Sequence, residues 1–172
     1  NNIAIGTQAM LNSAITNTTV SNNIAIGYQT LMNDTADNNI GIGYNILTAN
    51  VSGGFNIGIG FNILTSSTSS NNIGIGNNAL AASTTGQQNI AIGMGALDQL
   101  TTSSSNIGLG ANVLGATTTG TGNTAFGTSA MFNNTTGGSN VAIGHSALLT
   151  NTTGSSLTCI GENANTGGVS LA

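Results

Sequence analysis

The ionisable side chains are too few and too scattered to indicate a catalytic or metal site. The chain of 172 residues has no lysine or arginine, and its histidine and acids are His145, Asp34, Asp37, Asp98 and Glu162. A catalytic histidine needs an orienting partner, and neither Ser146 nor Asp98 stands at a recognisable spacing from His145. Calcium sites gather several oxygen ligands, and only Asp34 and Asp37 share a loop. We therefore predict solvated acids, a solvent-facing His145, no metal, no cofactor and no enzyme activity.

The composition also excludes several classes of partner. Charged residues are 2% of the chain and the formal net charge is −4, against about 25% charged residues in an average protein. Binding to nucleic acid depends on cations that displace counterions from phosphates. No apolar run approaches the roughly 20 residues that cross a bilayer. We expect no nucleic-acid partner and no membrane insertion, and the single Cys159 cannot form an internal disulfide.

Two regularly spaced sets of side chains could contact a ligand. Tyr28, Tyr44 and Phe61 each follow a glycine directly. An exposed aromatic strip could stack on the sugar rings of a glycan, and the alternative is that it packs against a neighbouring chain or loop. The second set is a ladder of threonines that lie 17 residues apart: Thr68, Thr85, Thr102, Thr119, Thr136 and Thr153. It resembles an ice-binding threonine face; the alternative is that these threonines only form turns beside the glycines.

A repeat of about 17 residues determines where these side chains fall. Copies of the segment Asn-Ile-Ala-Ile-Gly, or close variants of it, start near residues 2, 23, 39, 56, 72, 89, 106, 123, 140 and 157. The first interval holds about four extra residues around Ala14 to Thr18, which we interpret as a loop insertion. Such self-similarity is typical of solenoids. We predict one repeat domain over residues 1–172, an excerpt of a longer fibre.

Within each copy, the apolar–small–apolar pattern predicts a short strand with its large side chains on one face. Four residues after each glycine comes a leucine or methionine, as at Leu47, Leu64 and Leu80. One coil supplies too few apolar groups to form a core, but coils stacked about 4.8 Å apart would join them into aliphatic ladders. We predict an all-β parallel solenoid of about ten rungs, with the isoleucines and leucines in its interior.

Two polar or backbone columns belong to the same predicted framework. The closing glycine, as at Gly43, Gly60 and Gly76, occurs in every copy, which indicates a positive φ or a position too crowded for a Cβ. An asparagine opens nine of the ten copies; the members in the middle of the chain are Asn39, Asn56 and Asn72. Stacked amides of this kind can hydrogen-bond from rung to rung.

The stretch from Asn140 to Leu148, followed by Asn-Thr-Thr-Gly at 151–154, resembles repeats of trimeric surface fibres. These include YadA-like heads of trimeric autotransporter adhesins and similar bacteriophage tail-fibre repeats. The resemblance covers essentially the whole chain and implies a left-handed β-roll in which three chains wind about a threefold axis. The small column, as at Gly41 and Gly58, would then suit tight approach between chains. Adhesin heads usually have shorter repeats and more serine, which favours a phage-type or other fibre.

The sequence therefore favours a structural and adhesive segment of an extracellular, cell-surface or virion fibre. It would act as a rigid trimeric spacer that attaches to a host surface or glycan, and end-to-end filaments are a further form of self-assembly. The alternative is an ice-binding solenoid that uses the threonine ladder. A β-helical carbohydrate-active enzyme is disfavoured, because such enzymes need clustered acids and bases in a groove.

Overall fold

The computed structural model describes residues 1–13 and 20–165, which form a parallel β-solenoid. Ten strands follow in chain order: β1 (Ile3–Ile5), β2 (Ile24–Tyr28), β3 (Ile40–Ile46), β4 (Ile57–Ile63), β5 (Ile73–Asn77), β6 (Ile90–Ile92), β7 (Ile107–Leu109), β8 (Thr124–Phe126), β9 (Val141–Ile143) and β10 (Thr158–Ile160). They form one ten-stranded sheet in sequence order. The predicted all-β solenoid and its rung spacing are confirmed, while the expected insertion at 14–18 lies outside the described residues.

Equivalent residues of successive copies lie directly opposite one another in the sheet. Between β3 and β4, Ile40 pairs with Ile57 and Gly43 pairs with Gly60. These two strands are the longest, with 7 residues each, because their pairing continues to Ile46 and its partner Ile63. The in-register stacking turns each position of the repeat into a column along the rod.

At the first three positions of each strand, the small middle residue points inwards and the flanking isoleucines point outwards, which is the reverse of the predicted packing. The small column is buried, with Ala25, Ala91 and Ala125 at 0% exposure. The flanking isoleucines of β2 to β9 are half-buried or exposed. The prediction that these flanking isoleucines fill the interior is therefore wrong, although Ile46 and Ile63, directly before the leucine column, are buried. The small column does not face a neighbouring chain.

The reason is the thickness of the coil. The leucine column is fully buried from Leu31 to Leu148, and its side chains reach across the coil to the back of the strand. A Cβ added to Gly41 would lie 3.4 Å from Cγ of Leu31 and 3.3 Å from Cγ2 of Ile46. A second layer of large side chains has no room there, so only glycine, alanine or Cys159 occupies the inward position.

Positive φ angles form the corners of each rung. The leucine column has φ between 50° and 54°, as at Leu47, and the position two residues after each glycine has φ between 51° and 63°, as at Asn45. Asparagine adopts this left-handed conformation more readily than most residues, which accounts for the many amides at that position. A leucine there is unusual, and its complete burial stabilises the conformation.

The closing glycines from Gly6 to Gly144 satisfy both conditions expected from the sequence. Their φ values run from 123° to 139°, a region that L side chains rarely adopt. A Cβ added to Gly43 or Gly60 would also overlap the carbonyl oxygen of the glycine in the next rung. Both predicted reasons for the glycine column are confirmed.

The asparagine ladder is also confirmed, with backbone groups as its main partners. Asn56 accepts a hydrogen bond on its side-chain oxygen from the backbone N–H of Asn72 at 2.9 Å, and its amide nitrogen donates to the carbonyl of Ser69 at 2.7 Å. The same Oδ1 bond to the next rung recurs from Asn2 to Asn140. Each buried amide thus ties two consecutive rungs together.

Candidate functional site

The outward side of the sheet is an apolar surface along the rod, which we call the apolar face. It consists of the first and third residues of every strand, as in Ile57 and Ile59 of β4. Isoleucine predominates at these positions; the exceptions are Leu109, Thr124, Phe126, Val141 and Thr158. All of these side chains are half-buried or exposed. From strand geometry, two such columns over ten rungs present roughly 500 Å² of nearly uncharged surface.

An aromatic stack lies two residues further along β2, β3 and β4. The ring centroids of Tyr28 and Tyr44 are 5.0 Å apart with planes inclined by 18°, and those of Tyr44 and Phe61 are 5.1 Å apart and inclined by 9°. All three side chains are exposed. The rings face one another along the rod, so they offer their edges to solvent and the central ring has both faces covered.

This geometry bears directly on the predicted glycan contact. A sugar that stacks on an aromatic side chain needs an open ring face. Only the outer faces of Tyr28 and Phe61, at the two ends of the stack, point away from another ring of the stack. Contact with a glycan or partner through Tyr28, Tyr44 and Phe61 stays a prediction, and the available surface is their edges and these end faces.

The column that contains the aromatic stack becomes polar toward the other end of the chain. Its later members are Asn77, Met94, Ala111, Thr128, His145 and Glu162. His145 is exposed, so the predicted solvent-facing position is confirmed. The nearest equivalent positions on adjoining rungs hold Thr128 and Glu162, and no hydrogen bond to the imidazole is found among the described residues.

Asp34 corrects the prediction that all acids are solvated, because its side chain is completely buried at 0% exposure. Its Oδ1 accepts hydrogen bonds from Nδ2 of Asn50 at 2.8 Å and from the backbone N–H of Ala36 at 3.2 Å. Asn39 donates to both carboxylate oxygens at 3.3 and 3.4 Å. Burial, with a smaller contribution from the nearby charge of Asp37, raises the pKa of Asp34 to about 6 against the lowering effect of these donors.

The other acids fit the prediction. Asp37 is exposed and accepts a bond from the backbone N–H of Ser21 at 2.7 Å. Glu162 is exposed and Asp98 is half-buried beside the exposed Gln99. The chain contains no lysine or arginine to pair with any of them. The four acids do not converge on one site.

Sequence reasoning missed an interior column three residues after the leucine column, which is polar in the described rungs except after Leu97, where it holds Leu100. Its members include Ser13, Asp34, Asn50, Ser67, Ser83, Thr117 and Asn134, all of them buried. Except for Ser83, whose hydroxyl has no partner, they bond to their own turn or to the next rung, as Thr117 does to the carbonyl of Asn134 at 2.9 Å. The constant spacing from the leucine was the available signal, and it would have predicted that Asp34 is buried.

The threonine ladder differs from the predicted alignment at one end. Thr68 stacks on Thr84, to whose carbonyl it donates a backbone hydrogen bond of 2.9 Å, because the interval between these two rungs is 16 residues rather than 17. The exposed column therefore has five members, Thr85, Thr102, Thr119, Thr136 and Thr153. In the neighbouring column the hydroxyls are engaged, as at Thr84, whose Oγ1 donates to the carbonyl of Thr101 at 3.0 Å.

Within residues 1–13 and 20–165, no group of three or more His, Cys, Asp or Glu side chains could hold a metal ion. The same residues include no helix long and apolar enough to span a membrane. Cys159 is half-buried at the small-column position of β10. Comparisons with protein-family models, with curated proteins and with solved structures gave no match to this chain.

Proposed function

We propose that the chain is a structural and adhesive segment of an extracellular fibre on a cell or virion surface. The observation that carries this proposal is the apolar face. The largest apolar patch of a typical monomeric protein is roughly 300–600 Å² and is often functional. The apolar face, at roughly 500 Å² by strand geometry, lies in that range, and its continuity over all ten strands supports a partner that covers the whole rod.

A further copy of the chain is the partner with the most suitable surface. It presents the same columns with the same rung spacing, so the outward isoleucines of one copy can fit between those of another along the whole length. No Lys–Lys or Arg–Arg repulsion opposes this contact, because the chain has neither residue. The resemblance to trimeric fibre repeats favours three chains and a left-handed coil.

The mechanism in this proposal is mechanical. Buried leucines and the asparagine ladder bind each rung to the next, which makes a stiff spacer. Attachment to a host receptor or glycan would use the positions where rungs differ, such as the exposed Val51 and Phe55 or the edges of the aromatic stack. The dispersed acids and lone histidine support a role without catalysis or a cofactor. The lack of lysine and arginine supports one without nucleic-acid contact, and the lack of a long apolar run supports one without membrane insertion.

Native mass spectrometry and negative-stain images of the purified chain test the assembly. We expect three chains in a rod of roughly 45–50 Å, the length of ten stacked strands. Longer rods of constant width would indicate end-to-end contacts in addition. A stable single chain at micromolar concentration would contradict the proposal, because the apolar face would then have no partner.

The exposed threonine column supports a second candidate function, ice binding. Five hydroxyl and methyl groups in one straight row, from Thr85 to Thr153, form a regular exposed surface. Thermal hysteresis of the purified chain separates the two functions. Clear activity that disappears when Thr102 and Thr119 are replaced by bulky residues would favour ice binding over the fibre proposal.

A further inference from the structure

The two tyrosines of the chain lie directly against each other. The sequence contains only Tyr28 and Tyr44, and in-register pairing of β2 with β3 places them opposite one another. Their ring centroids are 5.0 Å apart and their planes are inclined by 18°. Both residues are reachable from solvent, with relative exposures of 38% for Tyr28 and 43% for Tyr44.

We propose that Tyr28 and Tyr44 form an oxidative cross-linking site that joins rungs β2 and β3 as dityrosine within one chain. This inference is independent of the proposed fibre function. The co-reactant is a one-electron oxidising system such as a haem peroxidase with hydrogen peroxide. The product would lock together the two rungs that flank the turn containing Asp34.

The chemistry balances as a two-electron oxidation. Each phenol loses one electron and its hydroxyl proton, and the two phenoxyl radicals form one carbon–carbon bond between a Cε atom of each ring. The hydrogen on each coupled Cε then moves as a proton to the phenol oxygen, which restores both aromatic rings. One hydrogen peroxide accepts the two electrons and two protons and becomes two waters.

The stacked arrangement favours this reaction by proximity. Two reactants that are held side by side react at effective concentrations far above those of free solution. The rings need only a side-chain rotation to bring two Cε atoms together, because the backbone pairing already fixes the residues in adjacent rungs. No other tyrosine competes for the radicals.

Phe61 provides a matched set of variants. Its ring continues the stack at 5.1 Å from Tyr44, so phenylalanine and tyrosine both fit this column. Tyr28→Phe removes the pair, and Tyr28→Phe combined with Phe61→Tyr restores a stacked pair one rung further on. Tyr44→Phe combined with Phe61→Tyr keeps two tyrosines but leaves a phenylalanine ring between them.

The experiment treats the purified full chain with peroxidase and limiting hydrogen peroxide and measures dityrosine fluorescence and mass under reducing, denaturing conditions. The product is then unfolded and cleaved beside Asp34 and Asp37, which lie between the two tyrosines in sequence. We expect a product of single-chain mass in which the fragment that carries Tyr28 stays joined to the fragment that carries Tyr44. Tyr28→Phe with Phe61→Tyr, the shifted pair, should regain the dityrosine fluorescence. Tyr44→Phe with Phe61→Tyr, the interrupted pair, should give at least about tenfold less dityrosine than the wild type.

Three results would overturn the inference. The first is wild-type protein without dityrosine, and the second is an interrupted pair that reacts as well as the wild type. The third is a cross-linked product found only at twice the chain mass or more, while the fragments of the single-chain product separate after cleavage. Tyrosines of different chains would then have reacted. Tyr28→Phe, with one tyrosine per chain, measures that interchain background directly.

Discussion

Replacing the buried Asp34 by asparagine should stabilise the chain at neutral pH and remove a pH dependence. The carboxyl is completely buried, has only neutral hydrogen-bond donors and lies near Asp37. Asparagine occupies the same interior column at Asn50 and Asn134, so the amide fits the space. Its oxygen can still accept the bond that Asn50 donates.

The magnitude follows from the pKa of Asp34, which burial raises from 3.8 to about 6. Because the folded chain binds this proton more tightly than the unfolded chain, the contribution is fully present below about pH 4. It is lost as the pH rises from about 4 through 6. At about 1.4 kcal/mol per pH unit, the loss approaches about 3 kcal/mol at pH 7.5.

Urea unfolding at pH 4, 5, 6 and 7.5 measures this effect. Asp34→Asn should raise the free energy of unfolding at pH 7.5 by up to about 3 kcal/mol and change it by less than about 1 kcal/mol at pH 4. Asp98→Asn removes the same charge from a half-buried position on another rung and should leave the slope between pH 4 and 6 in place. A destabilised Asp34→Asn variant at pH 7.5, or an unchanged slope, would refute the reasoning.

Three further substitutions test the columns, each by urea unfolding. Gly60→Ala should prevent folding or cost more than the roughly 1–3 kcal/mol of backbone strain expected for the control Gly161→Ala. An added Cβ overlaps the next rung at Gly60 but comes only within 3.8 Å of Ala164 at Gly161. Equal losses of unfolding free energy would contradict the crowding at Gly60. Ser83→Ala should stabilise the chain by about 1 kcal/mol, because the buried hydroxyl of Ser83 has no partner. Ser67→Ala should destabilise it, because this change breaks a 2.9 Å hydrogen bond to Ser69. Opposite signs would contradict these hydrogen-bond assignments. Asn72→Ala should cost about 2–4 kcal/mol. The N–H of Asn89 and the carbonyl of Gly86 lose the hydrogen bonds that Asn72 makes to them. A comparable loss in the exposed control Asn77→Ala would contradict a stabilising role of the asparagine ladder.

The repeat made most of the fold predictable, because every column reports the same environment many times. The glycine and asparagine columns were assigned correctly for that reason. The inward face of the strand was not, since a period of two separates two faces without saying which one is buried. The restriction of the small column to Ala, Gly and Cys159 was the signal, whereas the outward columns also accept Thr124 and Phe126.

The candidate site was harder to predict for physical reasons. Once the isoleucines were placed in the core, no apolar face remained to be recognised. The stacking of Tyr28 on Tyr44 follows from register, but the covering of ring faces within the stack requires side-chain orientations that the spacing does not give. The burial of Asp34 depends on the depth of the turn after Leu31, where a carboxylate replaces the amides and hydroxyls of other rungs.

The central claim is that copies of the chain cover the apolar face, and sedimentation equilibrium of matched variants tests it most directly. Thr124 and Thr158 show that threonine is accepted at the first strand position, so Ile73→Thr with Ile90→Thr changes the face without changing the strand. Thr85→Ser with Thr102→Ser, on the exposed threonine column, is the control. We predict a trimeric wild type and control and a weaker assembly, by at least about tenfold in dissociation constant, for the isoleucine pair. A monomeric wild type, or an isoleucine pair that assembles as tightly as the control, would contradict the account.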